Sequence, residues 1–400
     1  MPTAVFFFTD EAEAAELRGV VHVEGALSRA YGRAAVQAYV EGASGRLMRS
    51  LKSILGSGLA EQATDLGQGH AVRFLDVVTG YLRHLRGLGE QAAGHPLSHA
   101  VIGRPVFFVD DDPARDALAQ QTLARAAAAA GFSHVEFQYE PLAAAFDYEQ
   151  GISHEHRVLV ADIGGGTSDF SVVRLGPDRR ERLDRREDIL AHHGVHIAGT
   201  DFDRRIELGA VLPLLGFGAR GPSDRGARVV PGTVYHDLAT WHLINTVYRP
   251  QRVAELRAMA DWYAQPQLHR RLMRAVDERL GHDLAARSEA AKIEAASGSL
   301  AALNLSQIES GLSAVLTEAQ CREWLAADLS RIAEAALTTV RLAGLNAGQI
   351  DALYFTGGST GLSALTDRLL QAFPSARPVH GDRLSSVATG LGVYAARLFA

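Results

Sequence analysis

Val158–Val173 reads VLVADIGGGTSDFSVV, two apolar runs on either side of three consecutive glycines. The runs are short, apolar and rich in valine, so they read as two strands of a hairpin. Each glycine inside regular structure costs roughly 0.5–1 kcal/mol relative to alanine, so Gly164, Gly165 and Gly166 together need a reason. One reason is turn geometry. The other is close approach, since bare N–H groups can form a nest around phosphate oxygens with no β-carbon in the way. Thr167 adds a hydroxyl donor, Asp162 ends the first run and Asp169 begins the second. Two carboxylates so placed suit a Mg²⁺ ion held through water, because that ion dehydrates reluctantly. The flanking carboxylates and strands favour the phosphate reading over a plain hairpin.

Two further segments fit the same chemistry. Asp351–Thr360 (DALYFTGGST) reads as a strand ending in Gly357-Gly358, with Ser359 or Thr360 capping a helix. Paired glycines at such a turn let a nucleotide lie on the backbone near the positive end of the helix. An ordinary strand-to-helix turn explains this segment equally well when it is taken alone. Gln138–Ala145 (QYEPLAAA) sets Glu140 before a proline-initiated helix. A carboxylate there can position an attacking or metal-bound water, though a surface helix cap accounts for it as simply.

Outward from these segments the pattern alternates strands and helices, which predicts α/β architecture. Strands are expected at Ala4–Phe8, Ala100–Val109, Val135–Gln138, Arg157–Ala161, Phe170–Leu175, Leu300–Ile308 and Leu353–Thr356. Helical patterns cover Glu11–Leu66 with breaks, Ala71–Leu85, Pro113 to the stop at Gly131, Glu140–Gln150, Asp201–Leu215, Tyr235–Ala296 in three or four pieces, Leu362–Phe373 and Ser385–Phe399. Thr317–Ala343 reads as one long helix, with Thr317 as N-cap and Gln320 closing a capping box. Gly216–Gly232 is rich in Gly, Arg and Pro and reads as a loop.

The chain has 400 residues, 47% apolar and 22% charged, enough for two or three compact units. A net charge of −6 gives no general attraction to nucleic acid or anionic lipid. No apolar run approaches the roughly 20 residues of a membrane span, and the N-terminus lacks the basic-then-apolar pattern of a signal peptide. Cys321 is the only cysteine, which points to a reducing, cytoplasmic setting. Lys52 and Lys292 are the only lysines among 40 basic residues. Either they mark places where a compact, movable ammonium is wanted, or the scarcity is chance. His192, His193 and His196 have no carboxylate or cysteine partner at zinc-site spacing and read as unconnected with metal. Arg179, Arg180, Arg182, Arg185 and Arg186 interleave with acids and read as a solvated face. Tyr139, Tyr148 and Phe6–Phe8 read as core.

Taken in order, these segments resemble the ATPase domain of the seventy-kilodalton heat-shock (DnaK-type) chaperones, and among them the short YegD-like members. DIGGGTSD is similar to the family's second phosphate loop, QYEPLAAA to its first connecting helix, HIAGTDFD (His196–Asp203) to its HLGGEDFD stretch and YFTGGST to its adenosine loop. LKSILG (Leu51–Gly56) resembles the segment with the catalytic lysine, EAAKI (Glu289–Ile293) the helix at the nucleoside, and Thr317–Ile350 the long helix before the adenosine strand. The resemblance implies an actin-like ATPase fold, a ribonuclease H-like duplication with two lobes around a nucleotide cleft. Lobe I would hold residues 1–146, completed by 380–400; lobe II would hold 147–379, with a helical subdomain at about 208–296.

The resemblance also implies site roles. Asp162 and Asp169 would hold the magnesium shell, with Glu140 placing the same cluster. Gly164, Gly165, Gly166 and Thr167 would contact phosphates, and Lys52 would reach the terminal phosphate as a point charge. Gly199, Gly357, Gly358 and Ser359 would line the nucleotide, with Glu289 and Lys292 at the ribose. The expected ligands are ATP or ADP with Mg²⁺; protein clients and co-chaperones stay unnamed. Ile293 and Gly361 stand where the family often holds adenine between two arginines. The opening MPTAVFFF resembles family sequence lying after a first Asp-x-Gly-Thr hairpin, and no β-sandwich substrate domain follows the last helix. ATP hydrolysis is therefore expected on condition that such a hairpin precedes. The alternatives are a catalytically impaired nucleotide-binding scaffold or a small-molecule kinase of the same fold.

Overall fold

The structure, a computed structural model, describes residues 3–399 apart from 17–20, 25–26, 50–54, 56–59, 68, 110–111, 223–226 and 383–384. The chain packs as two compact units, Met1–Phe146 with Val387–Ala400, and Asp147–Ser386. Both mix strands and helices.

In the first unit β1 (Ala4–Phe8), β2 (Val21–Glu24), β3 (Leu27–Tyr31) and β4 (Gly45–Arg49) form a sheet in the order β2-β3-β1-β4. This corrects the helical reading of Glu11–Leu66, where the described residues include the helices Glu11–Glu16 and Arg33–Val40 alongside these strands. β3 is buried along nearly its whole length, and a strand buried on both faces shows no alternation to read. The alanine-rich sequence around it favours helix by propensity alone. Phe6, Phe7 and Phe8 are fully buried. A hairpin of β5 (Ala63–Gly67) and β6 (His70–Arg73) leads into the helix Phe74–Ala93, three residues later than the periodicity suggests. β7 (His99–Arg104) and β8 (His134–Tyr139) pair in parallel. The expected strand Ala100–Val109 ends early because Pro105 has no N–H to donate to the ladder. Asp112 caps the helix Pro113–Ala129 by accepting from the Arg115 N–H at 3.0 Å.

The second unit is built on β9 (His156–Ile163), β10 (Ser168–Leu175), β11 (Ile189–Val195), β14 (Ala352–Thr356) and β15 (Arg377–His380), in the order β11-β10-β9-β14-β15. Strands β9, β10 and β11 are antiparallel neighbours, whereas β14 runs parallel to both β9 and β15. Leu159, Ala161, Ile163, Phe170, Val172 and Phe355 line one face and share a core with Leu325, Leu329 and Ile332 of the helix Glu318–Leu342 and Leu365 of the helix Ser363–Ala372. The long helix starts as its sequence dictates: Thr317 Oγ1 accepts from the Gln320 N–H at 3.2 Å, and Gln320 Oε1 accepts from the Thr317 N–H at 3.0 Å.

A second core joins the region between Ile206 and Cys321, including the hairpin β12 (Ala301–Asn304) and β13 (Ser313–Leu316). Tyr235–Ala296 contains five helices, Thr233–Leu238, Ile244–Val247, Pro250–Ala258, Pro266–Asp277 and Gly281–Ala295. Pro250 and Pro266 each start a new helix at its first position, where the missing N–H is harmless. The arginine cluster also departs from its solvated reading. Arg185 is buried, its guanidinium donates to Glu149 at 2.8 Å and to Asp188, and both acids are buried too. Arg179 joins the same group through Asp188 and Glu155.

Candidate functional site

The hairpin between β9 and β10 brings Asp162 and Asp169 directly opposite each other. The same row of the sheet continues to Gly194 on β11 and to Thr356 on β14. Cross-strand partners share a face, so this row lies on the face opposite the Leu159–Ile163 core positions. Asp162 and Asp169 are half-buried. Gly194 makes room for one of them: a β-carbon there would lie 2.5 Å from Asp169 Oδ1. His192, one step along β11 on the same face, sets its Nε2 4.0 Å from Asp169 Oδ1 and its Nδ1 3.0 Å from Ser171 Oγ.

The glycine loop is anchored through its carbonyls. The Gly164 N–H closes the turn on the Thr167 carbonyl at 3.0 Å. The Gly164 carbonyl accepts from the Gly199 N–H at 3.2 Å and from Ser359 Oγ at 2.6 Å. The Gly165 carbonyl accepts from the Thr200 N–H at 2.7 Å and from Thr200 Oγ1 at 2.8 Å. Among the described residues no hydrogen bond runs from the N–H groups of Gly165, Gly166 or Thr167. Their carbonyl edge is fixed and their N–H edge is left for something else.

The glycines of the site divide into two kinds. Gly357 has φ +88°, and a β-carbon there would lie 2.6 Å from the Ile163 carbonyl carbon and 2.8 Å from Asp162 Oδ1. Gly199 faces Ser359 Oγ at 2.5 Å from the same imagined atom. These two are glycine because the protein leaves no room. Gly165, Gly166 and Gly358 are different: a β-carbon at each would meet nothing within 4 Å. None of Gly164, Gly165 and Gly166 is among the positive-φ glycines. Neither a positive φ nor a close contact within the protein requires glycine at Gly165 or Gly166.

The loop after β14 differs from its sequence reading. Neither Ser359 nor Thr360 caps the following helix, which begins at Ser363 after a single tight turn, Gly358–Gly361. The Ser359 hydroxyl is taken by Gly164, and the Thr360 hydroxyl donates to the Gly357 carbonyl at 2.7 Å. Ser359 thus ties the second glycine loop to the first, and Thr360 braces the second loop on itself.

The helix Gly199–Ile206 carries the arrangement further. Asp203 accepts from Lys292 Nζ at 2.6 Å, so the Lys292 ammonium is engaged by a carboxylate within the unit. Burial raises the Asp203 pKa, and Lys292 works against that rise. One turn on, Glu207 is buried with Oε1 unpartnered, at the start of a π-helical segment Glu207–Val211. Desolvation, reinforced by Asp203, holds its carboxyl well above the ordinary range. Burial likewise pushes the Cys321 thiol up to about 11, an inert setting for a thiol. Glu289 is exposed on the helix Gly281–Ala295.

Asp162, Asp169, Gly164–Thr167, Gly199, Gly357, Gly358 and Ser359 therefore come together in the second unit. Lys292 is joined to them through Asp203 of the Gly199 helix, whereas Glu289 lies exposed on the helix that carries Lys292. Glu140 belongs to the first unit, with its side chain against Gly103. Lys52 lies outside the described residues. Sequence reasoning missed the placement of Gly194, His192 and Thr356, which only the pairing of β11 and β14 sets beside the hairpin, and of Thr200, which reaches it through the Gly165 carbonyl.

Residues 28–207 match the family model described as Hsp70 protein. The chain is 36% identical over 124 residues to "Chaperone protein DnaK 3" of Synechococcus sp., and 38% identical over 125 residues to "Chaperone protein HscA homolog" of Methylobacillus flagellatus. A similar match, 36% over 124 residues, is to "Chaperone protein dnaK1" of Synechococcus elongatus. These alignments cover 30–31% of this chain and 17–18% of the relatives' own length. The Hsp70 resemblance read from the motifs is thus borne out over residues 28–207, which match that family's model and include the glycine hairpin.

Proposed function

We propose that this chain is an Hsp70-like nucleotide-binding module that takes ATP or ADP with Mg²⁺ at the Asp162–Asp169 hairpin. The observation that carries the reading is the asymmetry of the glycine loop, with its carbonyls tied down and its N–H edge and β-carbon positions open. Such an edge suits phosphate oxygens. The donor set also fits a magnesium nucleotide. Among the described residues no group of three or more His, Cys, Asp or Glu side chains closes a metal shell, and Mg²⁺ commonly keeps waters and leans on one or two carboxylates plus phosphate.

In this reading Asp162 and Asp169 hold and orient the waters of that shell. The N–H groups of Gly165, Gly166 and Thr167 receive phosphate oxygens, and Gly358 offers bare backbone to the nucleoside. Lys292 would serve the ribose while keeping its ion pair with Asp203. Bound Mg²⁺ would supply charge neutralisation on the phosphates; positioning is left to the chain. The actin-like ATPase fold with two lobes around a nucleotide cleft, the YegD-like form, the roles of Glu140 and Lys52, and a chaperone-type use of ATP hydrolysis all belong to this proposal. The motifs and the family match support them. Among the described residues no helix is long and apolar enough to cross a membrane, and the lone buried thiol suits a reducing, cytoplasmic setting.

The test is calorimetric ADP binding with and without Mg²⁺, followed by single-turnover ATP hydrolysis, for the wild type and Asp162→Ala. Magnesium-dependent binding that weakens on substitution supports the module. Binding without turnover supports the scaffold alternative. Absence of ADP binding sinks the proposal.

A further inference from the structure

A pair of histidines meets at the start of β9, at the end of that strand away from the glycine loop. His154 and His156 bring their Nε2 atoms to 3.1 Å of each other. Each ring is held at its other nitrogen by a hydroxyl: His156 Nδ1 lies 2.8 Å from Tyr148 Oη, and His154 Nδ1 lies 3.4 Å from Ser153 Oγ. His156 is half-buried and His154 is exposed. The ring centroids are 4.5 Å apart and the planes cross at 68°. That separation is shorter than the nitrogen distance plus two ring radii, so the rings meet at an angle and not head to head. Two neutral imidazoles so placed can share an N–H···N hydrogen bond. The same spacing suits two ligands of one cation. With metal–nitrogen bonds of about 2.0–2.1 Å, nitrogens 3.1 Å apart subtend roughly 95–102° at the ion. This lies between a right angle and the tetrahedral angle, so the ion sits off the line joining the nitrogens and their separation need not change.

We infer that His154 and His156 form a surface site for a divalent ion that favours imidazole, Zn²⁺, Ni²⁺ or Cu²⁺, bound through both Nε2 atoms. The hydroxyls of Tyr148 and Ser153 are the outer acceptors that fix the tautomer of a ligating histidine. Each ring keeps one proton, on Nδ1, donated to Tyr148 Oη or Ser153 Oγ. The ion takes the place of the proton shared between the Nε2 atoms, so two neutral imidazoles bind it with no net proton release. Glu155, between the two histidines, turns to Arg179 at 2.8 Å and stays out of the shell. Asp351 and Arg377, of opposite sign, both act on His156. Among the described residues no third ligating side chain joins the pair, so water completes the shell. β9 spans eight residues from His156 to Ile163, roughly 23 Å of strand. The histidine pair is therefore separate from the nucleotide hairpin and does not depend on it.

The test uses the whole chain without a histidine tag, stripped with a chelator and titrated by calorimetry with ZnCl₂, NiCl₂ or CuCl₂. The wild type should bind one ion that His154→Ala and His156→Ala each weaken about tenfold or more. In ¹⁵N-labelled protein, Zn²⁺ should shift the Nε2 resonances of both rings and leave Nδ1 protonated. Tyr148→Phe keeps the ring and removes the acceptor; it should weaken binding about tenfold, with thermal melting showing that the fold persists. Asp162→Ala, at the far end of β9, should change the affinity less than twofold. If His156→Ala fails to fold, His154→Ala, at an exposed position, still decides. Absence of binding by all three ions, or binding that survives both histidine substitutions, overturns the inference and leaves the pair as a hydrogen bond alone. An equal loss in Asp162→Ala would move the ion to the hairpin and overturn it as well.

Discussion

Replacing Gly165 or Gly166 by alanine separates what the glycines do for the fold from what they do for a ligand. Neither is among the positive-φ residues, and an added β-carbon would meet nothing within 4 Å. A Gly→Ala change at a compatible backbone stabilises by about 0.4–1 kcal/mol, chiefly by narrowing the unfolded ensemble. For a unit of this size that is a rise in melting temperature of roughly 1–4 °C. In the proposed site the same methyl would crowd the N–H edge that Gly165, Gly166 and Thr167 offer to phosphate. A hydrogen bond to a charged group contributes about 1.5–3 kcal/mol, so losing one weakens ADP binding roughly ten- to hundredfold. Gly357→Ala is the opposing control. With φ +88° and only 2.6 Å to the Ile163 carbonyl carbon, it should destabilise by about 1–3 kcal/mol or more. Thermal unfolding and ADP calorimetry on the three variants read both quantities. Loss of stability in Gly165→Ala and Gly166→Ala, or undiminished ADP affinity, would refute the reasoning and return these glycines to plain turn chemistry.

Other predictions follow from the second unit. The Glu207 carboxyl titrates above its unfolded value, so its stability contribution is full below the unfolded pKa and is lost as pH rises through the folded one. Glu207→Gln should therefore raise the melting temperature more at pH 8 than at pH 5; an equal shift at both would show that the carboxyl is not held neutral. Arg185→Met takes the ion-pair partner from the buried Glu149 and leaves Asp188 to Arg179 alone, and should cost about 3–5 kcal/mol in denaturant unfolding. A loss under 1 kcal/mol would mean that water reaches the cluster. Thr317→Ala removes the hydroxyl arm of the cap on the long helix, the one that accepts from the Gln320 N–H, and should cost about 1 kcal/mol, measured the same way.

How much of this was legible in the sequence depended on where each signal lived. The hairpin was readable because its strands, glycines and carboxylates are contiguous; β9 extends its predicted strand by one residue at the start and two at the end, and β10 by two at the start only. The Thr317 cap was readable for the same reason. The first unit's sheet was not, because β3 is buried too evenly to alternate and its surroundings are rich in helix-favouring alanine. Arg185 reads as solvated beside its acids, and only folding shows that Glu149, 36 residues earlier, closes a buried pair with it. His192, Gly194 and Thr356 join the site through strand register, which spacing along the chain does not encode. The roles of Ser359 and Thr360 were misread because a hydroxyl before a helix resembles a cap, whereas both are used to bind loop carbonyls.

The most direct measurement of the central claim is amide hydrogen exchange across the hairpin with and without Mg·ADP. The account predicts that the Gly165, Gly166 and Thr167 amides, which have no hydrogen-bond acceptor among the described residues, exchange fast in the free protein. They should slow markedly when the nucleotide is added, together with Gly358. Saturating Mg·ADP that leaves these amides exchanging at their free rate would contradict it.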